Sequence, residues 1–422
     1  MSLRIVNAVK YIRREGDERA HWLGSIAVQA KALEQSVERH IRANHLFENA
    51  KALVFAGTFF DGQAAQVWLE KGLRILDVEC DEQFLPDGGH FELSPMYHGA
   101  MLWNLGELIH LAQSSGLPEL VERAATWKKL LLRGLDWYAA MTHPDGGIAF
   151  FNDAALGVAP DLNEVMRYAT FLSFATNARI ATEPPPTLRH LDASGYLRVD
   201  LGEQSAAIID VARVGPDYQP GHAHADVLSF ELSLYGRRVF VNSGTSTYER
   251  GAVRDTQRGT AAHNTVIVDG RNSSDTWAGF RVGRRARPQV LAIEDGGDRV
   301  MIDAQHDGYR RLIGGVTHRR EWSWGTGDVV VRDCIEGRFR HAEAHYHLHP
   351  EVEATMDDQT LGQVNLVLVN GRTASVSTAH GRISIQPSSW HPRFGLSIPN
   401  RRLRIEFTGD TLETRIRWQD LA

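Results

Sequence analysis

The spacing of apolar residues changes once along this chain, from helical to alternating, and the change falls at a run of prolines. Up to about residue 180 the apolar positions recur every three or four residues. Leu3, Ile5, Val6, Val9 and Ile12 make one stripe. The windows Trp22–His40, His45–Phe60, Ala64–Phe84, Met101–Ala112, Leu117–Met141 and Val165–Ile180 continue the period. Glu183-Pro184-Pro185-Pro186-Thr187 then breaks it. Prolines fix φ and lack an N–H, so three in a row end a helix and form a stiff linker. Beyond them come short alternating runs with glycine turns, among them Ala206–Val211, Val227–Leu234, Thr265–Val268, Val329–Arg332 and Leu403–Phe407. Such runs predict strands, and Val268-Asp269-Gly270-Arg271 adds a hairpin signal. At 422 residues the chain can bury two substantial cores. The pattern predicts an α+β multidomain protein. A helical domain covers 1–183, and an antiparallel β-sandwich or multilayered β-sheet domain covers 187–422.

One loop recurs in the helical part. Pro86-Asp87-Gly88-Gly89 is echoed 58 residues later by Pro144-Asp145-Gly146-Gly147, a spacing of about two helices with their loops. A repeated helical hairpin predicts an α-solenoid or a closed (α/α) toroid. The helical pattern starts at once after Met1, which predicts a toroid shortened at its N-terminus. Met1-Ser2-Leu3-Arg4-Ile5-Val6 carries no basic head before an apolar core, so no signal peptide is expected. The expected location is cytoplasmic as encoded, or periplasmic if further residues precede Met1.

The net charge of −6 disfavours nucleic acid as a partner, and no apolar run is long enough to span a bilayer. A local basic run, Arg281-Val282-Gly283-Arg284-Arg285-Ala286-Arg287, leaves room for an anionic substrate. Cys80 and Cys334 fall in different expected domains, so a disulfide framework is not expected.

The most chemically informative stretch is Gly221-His222-Ala223-His224-Ala225-Asp226. The strand pattern that follows puts Leu228, Phe230, Leu232 and Leu234 on one face. Extending the alternation backwards places His222, His224 and Asp226 on that same inward face. Polar groups there are costly unless they are paired, ligate a metal or face a cleft. Other polar clusters are Asn44-His45 with Glu48, Ser94-Pro95-Met96-Tyr97-His98, Asn242-Ser243-Gly244 leading to Tyr248, and Arg258 through His263-Asn264-Thr265. Each has a plainer reading: Asn44 as a helix cap, Tyr97 as a packing aromatic, His45 as a surface histidine.

Taken together and in order, these phrases resemble the heparinase II/III-like family of polysaccharide lyases. The match rests on Asn44-His45, Pro86-Asp87-Gly88-Gly89 leading to Ser94-Pro95-Met96-Tyr97-His98, Gly221 to Asp226, and Ala262-His263-Asn264-Thr265. It runs over both halves of the chain. The resemblance implies an N-terminal (α/α) toroid, a C-terminal antiparallel β-sheet domain and a cleft that cuts acidic polysaccharides by β-elimination. The expected partner is thus an acidic polysaccharide or oligosaccharide, with neither nucleic acid nor membrane, and the oligomeric state stays open, a homodimer included.

That chemistry removes a weakly acidic proton beside a carboxylate, so it needs charge neutralisation, a base and an acid for the leaving oxygen. Asn44 is the candidate neutraliser and Tyr97 the candidate proton shuttle. His45 or His222 is the candidate base; the resemblance allows either a tyrosine or a histidine to take the proton. Tyr248 is a further catalytic candidate, and Glu48, His98 and Arg258 are candidate substrate contacts. Members of the family can hold a structural zinc, and the corresponding positions here are His224, Asn242 and His263. Asparagine is a poor zinc ligand beside imidazole or carboxylate, which puts that metal in question. Rival readings are a uronate C5-epimerase on the same scaffold and a non-catalytic polysaccharide-binding protein.

Overall fold

The computed structural model describes residues 1–16, 19–174, 185–369 and 371–419. Glu183 and Pro184 of the expected linker lie outside the described residues. By internal contacts the chain forms two units. One holds Met1–Glu92, Tyr97–Leu135 and the stretch from Asn163 through the last long helix. The other holds Leu93–Met96, Asp136–Leu162 and the described residues after the prolines. The segment with the second Asp-Gly-Gly loop thus clusters with the strands, and the chain passes between units more than once.

The helices are α1 (Ser2–Glu15), α2 (Ala20–Gln35), α3 (Ala43–Phe59), α4 (Gln63–Gln83), α5 (Pro95–Ser115), α6 (Pro118–Ala140) and α7 (Leu162–Phe171). The spacing of apolar residues explains them. In α1, Ile5, Val6, Val9 and Ile12 are buried, and Gly16 closes the helix at φ 67° with its N–H on the Ile12 carbonyl. Helices α5 and α6 begin on proline, whose missing N–H costs nothing in the first turn. Gly72 of α4 sits against α3, where a Cβ would lie 2.7 Å from the Ala50 carbonyl oxygen.

The echoed loops close alike. The Leu85 N–H donates to Gly89 O at 2.8 Å, as the His143 N–H does to Gly147 O. Asp87 accepts from the Gly89 N–H at 3.0 Å, and Asp145 from the Gly147 N–H at 2.8 Å. Sequence repetition here is structural repetition.

In the second unit, β1 (Thr187–Leu191), β2 (Tyr196–Gly202), β3 (Ser205–Asp210), β4 (Phe230–Leu234) and β5 (Arg237–Phe240) form an antiparallel meander. A four-stranded sheet pairs Arg382–Trp390, Ile398–Phe407, Ala342–His347 and β6 (Val266–Val268). An eight-stranded antiparallel sheet runs from Glu353–Met356 at one edge to Pro288–Asp295 at the other. One core joins the three sheets, with Phe230, Phe240, Trp324, Tyr346 and Ile405 all fully buried. The Phe230 ring lies 5.6 Å from Trp324 and 6.1 Å from Tyr346, within the range of favourable aromatic pairs. Asp269 and Gly270 both have positive φ (49° and 67°), which suits the hairpin turn that Val268 and Arg271 bridge.

The alternation argument for residues 222–228 fails. Strand β4 begins only at Phe230, and Leu228 has φ 62°. His222, His224 and Asp226 stand on a loop. All five residues of β4 are buried, because Glu231 and Ser233 meet a polar partner, His143.

Candidate active site

The centre of the β-rich unit's polar cluster is Asp153, on the segment after the second Asp-Gly-Gly loop. Its carboxylate is fully buried and every partner found for it is a donor. His222 Nδ1 lies 2.8 Å from Oδ2, His224 Nε2 lies 2.9 Å from Oδ1, and Thr245 Oγ1 lies 3.3 Å from Oδ1. Arg254, from the short helix Ala252–Gln257, grips the carboxylate with both terminal nitrogens, Nη2 at 2.7 Å and Nη1 on the other oxygen. Burial alone would push the Asp153 carboxyl up. The hydrogen bonds from His222 and His224 and the Arg254 charge outweigh it and hold the group well below the usual carboxylate range. Asp153 therefore stays ionised, and an ionised carboxylate only accepts. Each histidine must present N–H to it. His222 thus carries Nδ1–H, and Nε2 is its basic nitrogen.

His222 keeps 14 % of its side chain exposed. Around it stand Tyr248 and Phe280, with ring centroids 5.8 and 6.0 Å away. The Arg254 guanidinium stacks at 5.0 Å on Tyr248 and 5.5 Å on Phe280. Arg258 is a correction to the expected substrate contacts. It is fully buried and donates to the carbonyls of Ala223 (2.8 Å) and Gly279 (2.8 Å), so it pins the loop that carries the histidines. Burial, with the nearby Arg254 charge, lowers it to about 10.

The metal candidates also need correcting. The converging trio is His224, Asp226 and His263, whose donor atoms all lie within 4.8 Å of one another. The polar atoms of Asn242 are committed elsewhere: Oδ1 accepts from the Asn264 N–H at 3.1 Å, and Nδ2 faces Ser229 Oγ at 3.5 Å. A divalent ion suits the trio, and the proton count shows why. His224 gives its Nε2–H to Asp153, and His263 gives its Nδ1–H to Gly259 O at 2.9 Å. The two remaining nitrogens, His224 Nδ1 and His263 Nε2, are then lone pairs facing each other at 3.2 Å. Charging one ring would relieve this, but burial holds His263 down to about 4 and also lowers His224. A cation between the lone pairs relieves it without protonation. Two nitrogens bound tetrahedrally at ~2.0 Å sit roughly 3.3 Å apart. Asp153 and the Gly259 carbonyl are the outer partners that fix ring tautomers in such sites.

In the helical unit, Asn44 is the second residue of α3, not its cap; Arg42 holds the cap position and makes no side-chain cap bond. Arg42 and Ala43, at φ 62° and 51°, are both left-handed, so strained backbone leads directly into Asn44-His45. His45 is about half exposed, with Nδ1 3.6 Å from Glu38. Glu48 is held by Asn104 at 2.6 Å and Lys51 at 3.0 Å, within a network that reaches Glu107 and Lys10. Tyr97 is half-buried in the first turn of α5. His98 is a second correction: it is fully buried, with Nε2 2.9 Å from Gly134 O and Nδ1 accepting from the His90 N–H. Burial lowers it to about 4. It locks the first Asp-Gly-Gly loop to α6 and does not meet substrate.

Two family models match the chain, "Heparinase II/III N-terminus" over residues 16–180 and "Heparinase II/III-like, C-terminal" over residues 183–419. The chain belongs to the heparinase II/III-like family. Among curated relatives, a heparin-sulfate lyase of Bacteroides stercoris is 27% identical over 60% of this chain and 40% of its own length. One of Bacteroides thetaiotaomicron is 23% identical over 75% and 47%. FtsZ-localized protein C of Caulobacter vibrioides is 26% identical over 73% and 54%. The chain thus spans about half or less of these relatives. A crystal structure of heparinase III superposes with a TM-score of 0.81 at 20% identity, covering 99% of this chain and 68% of that one. A Streptomyces coelicolor chondroitin AC lyase in complex with chondroitin sulphate gives 0.61 at 12% identity, covering 99% and 66%. These likenesses share the heparinase fold, a helical N-terminal part followed by antiparallel sheets. The enzymatic names among them are lyases, which disfavours the epimerase reading.

Sequence reasoning missed Asp153 and Arg254. Asp153 had one signal: a lone carboxylate inside the apolar run from Ile148 to Ala155, where an unpaired charge is costly. Arg254 had none beyond its place between two recognised motifs.

Proposed function

We propose that this chain is a polysaccharide lyase that cleaves a uronate-containing polymer by β-elimination. The observation that carries the reading is the Asp153–His222 pair: a buried, ionised carboxylate that fixes the tautomer of a partly exposed imidazole. His222 Nε2 takes the proton on the carbon beside the uronate carboxylate. The electron pair of that C–H bond closes a carbon–carbon double bond, and the glycosidic oxygen leaves with a proton. Asp153 stabilises the imidazolium that forms. Tyr97 is the proposed donor to the leaving oxygen and Asn44 the proposed partner of the uronate carboxylate. Support for these two is their chemistry and their place in the family's motif order. Tyr248, which packs on His222, is the proposed wall of the sugar site.

His224, Asp226 and His263 are the residues that would hold a zinc ion. When bound, zinc supplies a fixed charge and a cross-link between two loops, with no direct part in elimination.

The test is to digest heparan sulfate, hyaluronan, chondroitin sulfate and alginate and to follow the ultraviolet absorbance of the new double bond. Turnover on at least one polymer, lost in His222→Ala by about 10²–10⁴-fold, is expected. Silence on all four with folded protein overturns the proposal. The rival reading is polysaccharide binding without turnover. Tight binding with no absorbance change would select it.

A further inference from the structure

A cavity of about 820 Å³ lies away from Asp153 in the β-rich unit. Its walls carry Arg271, Arg284, Arg311, Arg338 and Arg340 against two carboxylates, Asp269 and Asp275. Both carboxylates are occupied. Asp275 is bound by Arg284 and Arg311, and Asp269 accepts the backbone N–H groups of Arg340 (2.9 Å) and His341 (3.1 Å). Arg271, Arg338 and Arg340 are exposed and have no carboxylate partner among the described residues. In a chain of net charge −6 this is a concentrated positive field in a concave site, the setting that attracts anions. The frame is also fixed. The Asp269-Gly270 turn places Arg271, and the Arg338 N–H is bonded to Gly314 O at 3.1 Å.

A hairpin links this cavity to the candidate active site. Its strands are Asp275–Trp277 and Arg281–Gly283, and Asp275 and the next residue after the second strand, Arg284, stand in the cavity wall. Its turn ends beside the dyad: Gly279 O accepts from Arg254 and Arg258, and Phe280 packs near His222. We propose that the arginine-lined cavity is an anion subsite that seats sulfate or carboxylate groups of an acidic glycan whose reacting sugar lies at the Asp153–His222 pair. Guanidinium groups suit both planar carboxylates and tetrahedral sulfates because their paired N–H donors match two oxygens of either oxyanion. The inference rests on the lyase reading for its choice of ligand.

The test is the triple variant Arg271→Ala/Arg338→Ala/Arg340→Ala of the full chain, checked for unchanged thermal unfolding. Fluorescein-labelled heparan sulfate and hyaluronan report affinity by anisotropy. The triple variant binds at least one of them about tenfold more weakly at low salt, with the gap narrowing as ionic strength rises. Loss confined to heparan sulfate assigns sulfate, and equal loss on both assigns carboxylate. Turnover shows a raised KM on polymer, with kcat within about twofold of wild type. Unchanged affinity for both glycans overturns the proposal, as does a larger loss for a single-stranded oligonucleotide than for either glycan. If wild type binds but never cleaves, and the variant loses binding, the subsite stands and the lyase reading falls. If cleavage persists with unchanged binding, the subsite falls alone.

Discussion

Asp153→Asn separates what the buried carboxylate does for the fold from what it does for chemistry. The carboxylate meets N–H groups on both oxygens: His224 and Arg254 at Oδ1, His222 and Arg254 at Oδ2. An asparagine offers one accepting oxygen and one donating NH₂. On one side, therefore, a donor faces donors, and the Arg254 charge is left buried without a counter-charge. Breaking a buried ion pair from one side costs about 3–5 kcal/mol. If the NH₂ takes the Oδ2 side, His222 must move its proton to Nε2 to accept, and its basic nitrogen then points inwards. In hydrolytic triads the same substitution lowers kcat about 10⁴-fold for this reason. The assays are denaturant unfolding and the initial rate of double-bond absorbance. The expected result is a midpoint shift worth about 3–5 kcal/mol and a kcat lower by about 10²–10⁴. Adding Arg254→Gln removes the orphaned charge, so the double variant regains part of the stability and none of the rate. Wild-type turnover in a destabilised Asp153→Asn would show a purely structural residue. Wild-type stability would refute the buried-charge reasoning itself.

Chelation with EDTA lowers the unfolding midpoint of the protein as purified and releases close to one equivalent of divalent metal; no metal and no shift would remove the His224–Asp226–His263 assignment. Tyr97→Phe lowers kcat by about 10²-fold or more with little change in KM, measured on the best polymer, because only the proton transfer is lost. Acid weakens the fold earlier than carboxylates alone would dictate. His98, held down to about 4 when folded, binds a proton below about 6.5 only when unfolded, so stability is present above about pH 6.5 and falls by about 3 kcal/mol towards pH 4. Unfolding midpoints between pH 7 and 4 test this, and His98→Gln should flatten the slope.

The architecture was legible where a face repeats. The stripe of α1 and the alternation of Leu403–Phe407 each bury what their period predicts. Both echoed loops close with the same hydrogen bonds. Legibility failed where polar groups are buried by pairing across long sequence gaps. His222 and Asp153 are 69 residues apart, and nothing local to either names the other. Strand β4 shows the same limit: Glu231 and Ser233 alternate away from its apolar face, yet His143, 88 and 90 residues away, covers them. Asn242 entered the metal set by its place in the family's motif order, whereas its amide is held by the Asn264 N–H and Ser229. The hairpin register was itself open in the sequence: the turn is Tyr235-Gly236 and Val239 is skipped in the pairing, which no local pattern announces.

Two histidine pairs in the β-rich unit show how proton counting decides what distance cannot. His318 and His306 face each other at 3.2 Å, the spacing also found between His224 and His263. In the first pair the Gly308 N–H occupies His306 Nδ1 at 3.1 Å, so His306 carries Nε2–H and gives it to His318 Nδ1. His318 then gives its Nε2–H to Asp333, which Arg320 and His318 hold at about 2 against the upward push of burial. Every donor has an acceptor, and the pair is complete as a structural relay. In the second pair both rings have already given their proton away, one to Asp153 and one to Gly259, and the facing nitrogens have none left. Equal geometry therefore supports opposite assignments. The first pair needs nothing added, while the second, with the Asp226 carboxylate alongside, is an arrangement that can hold a cation.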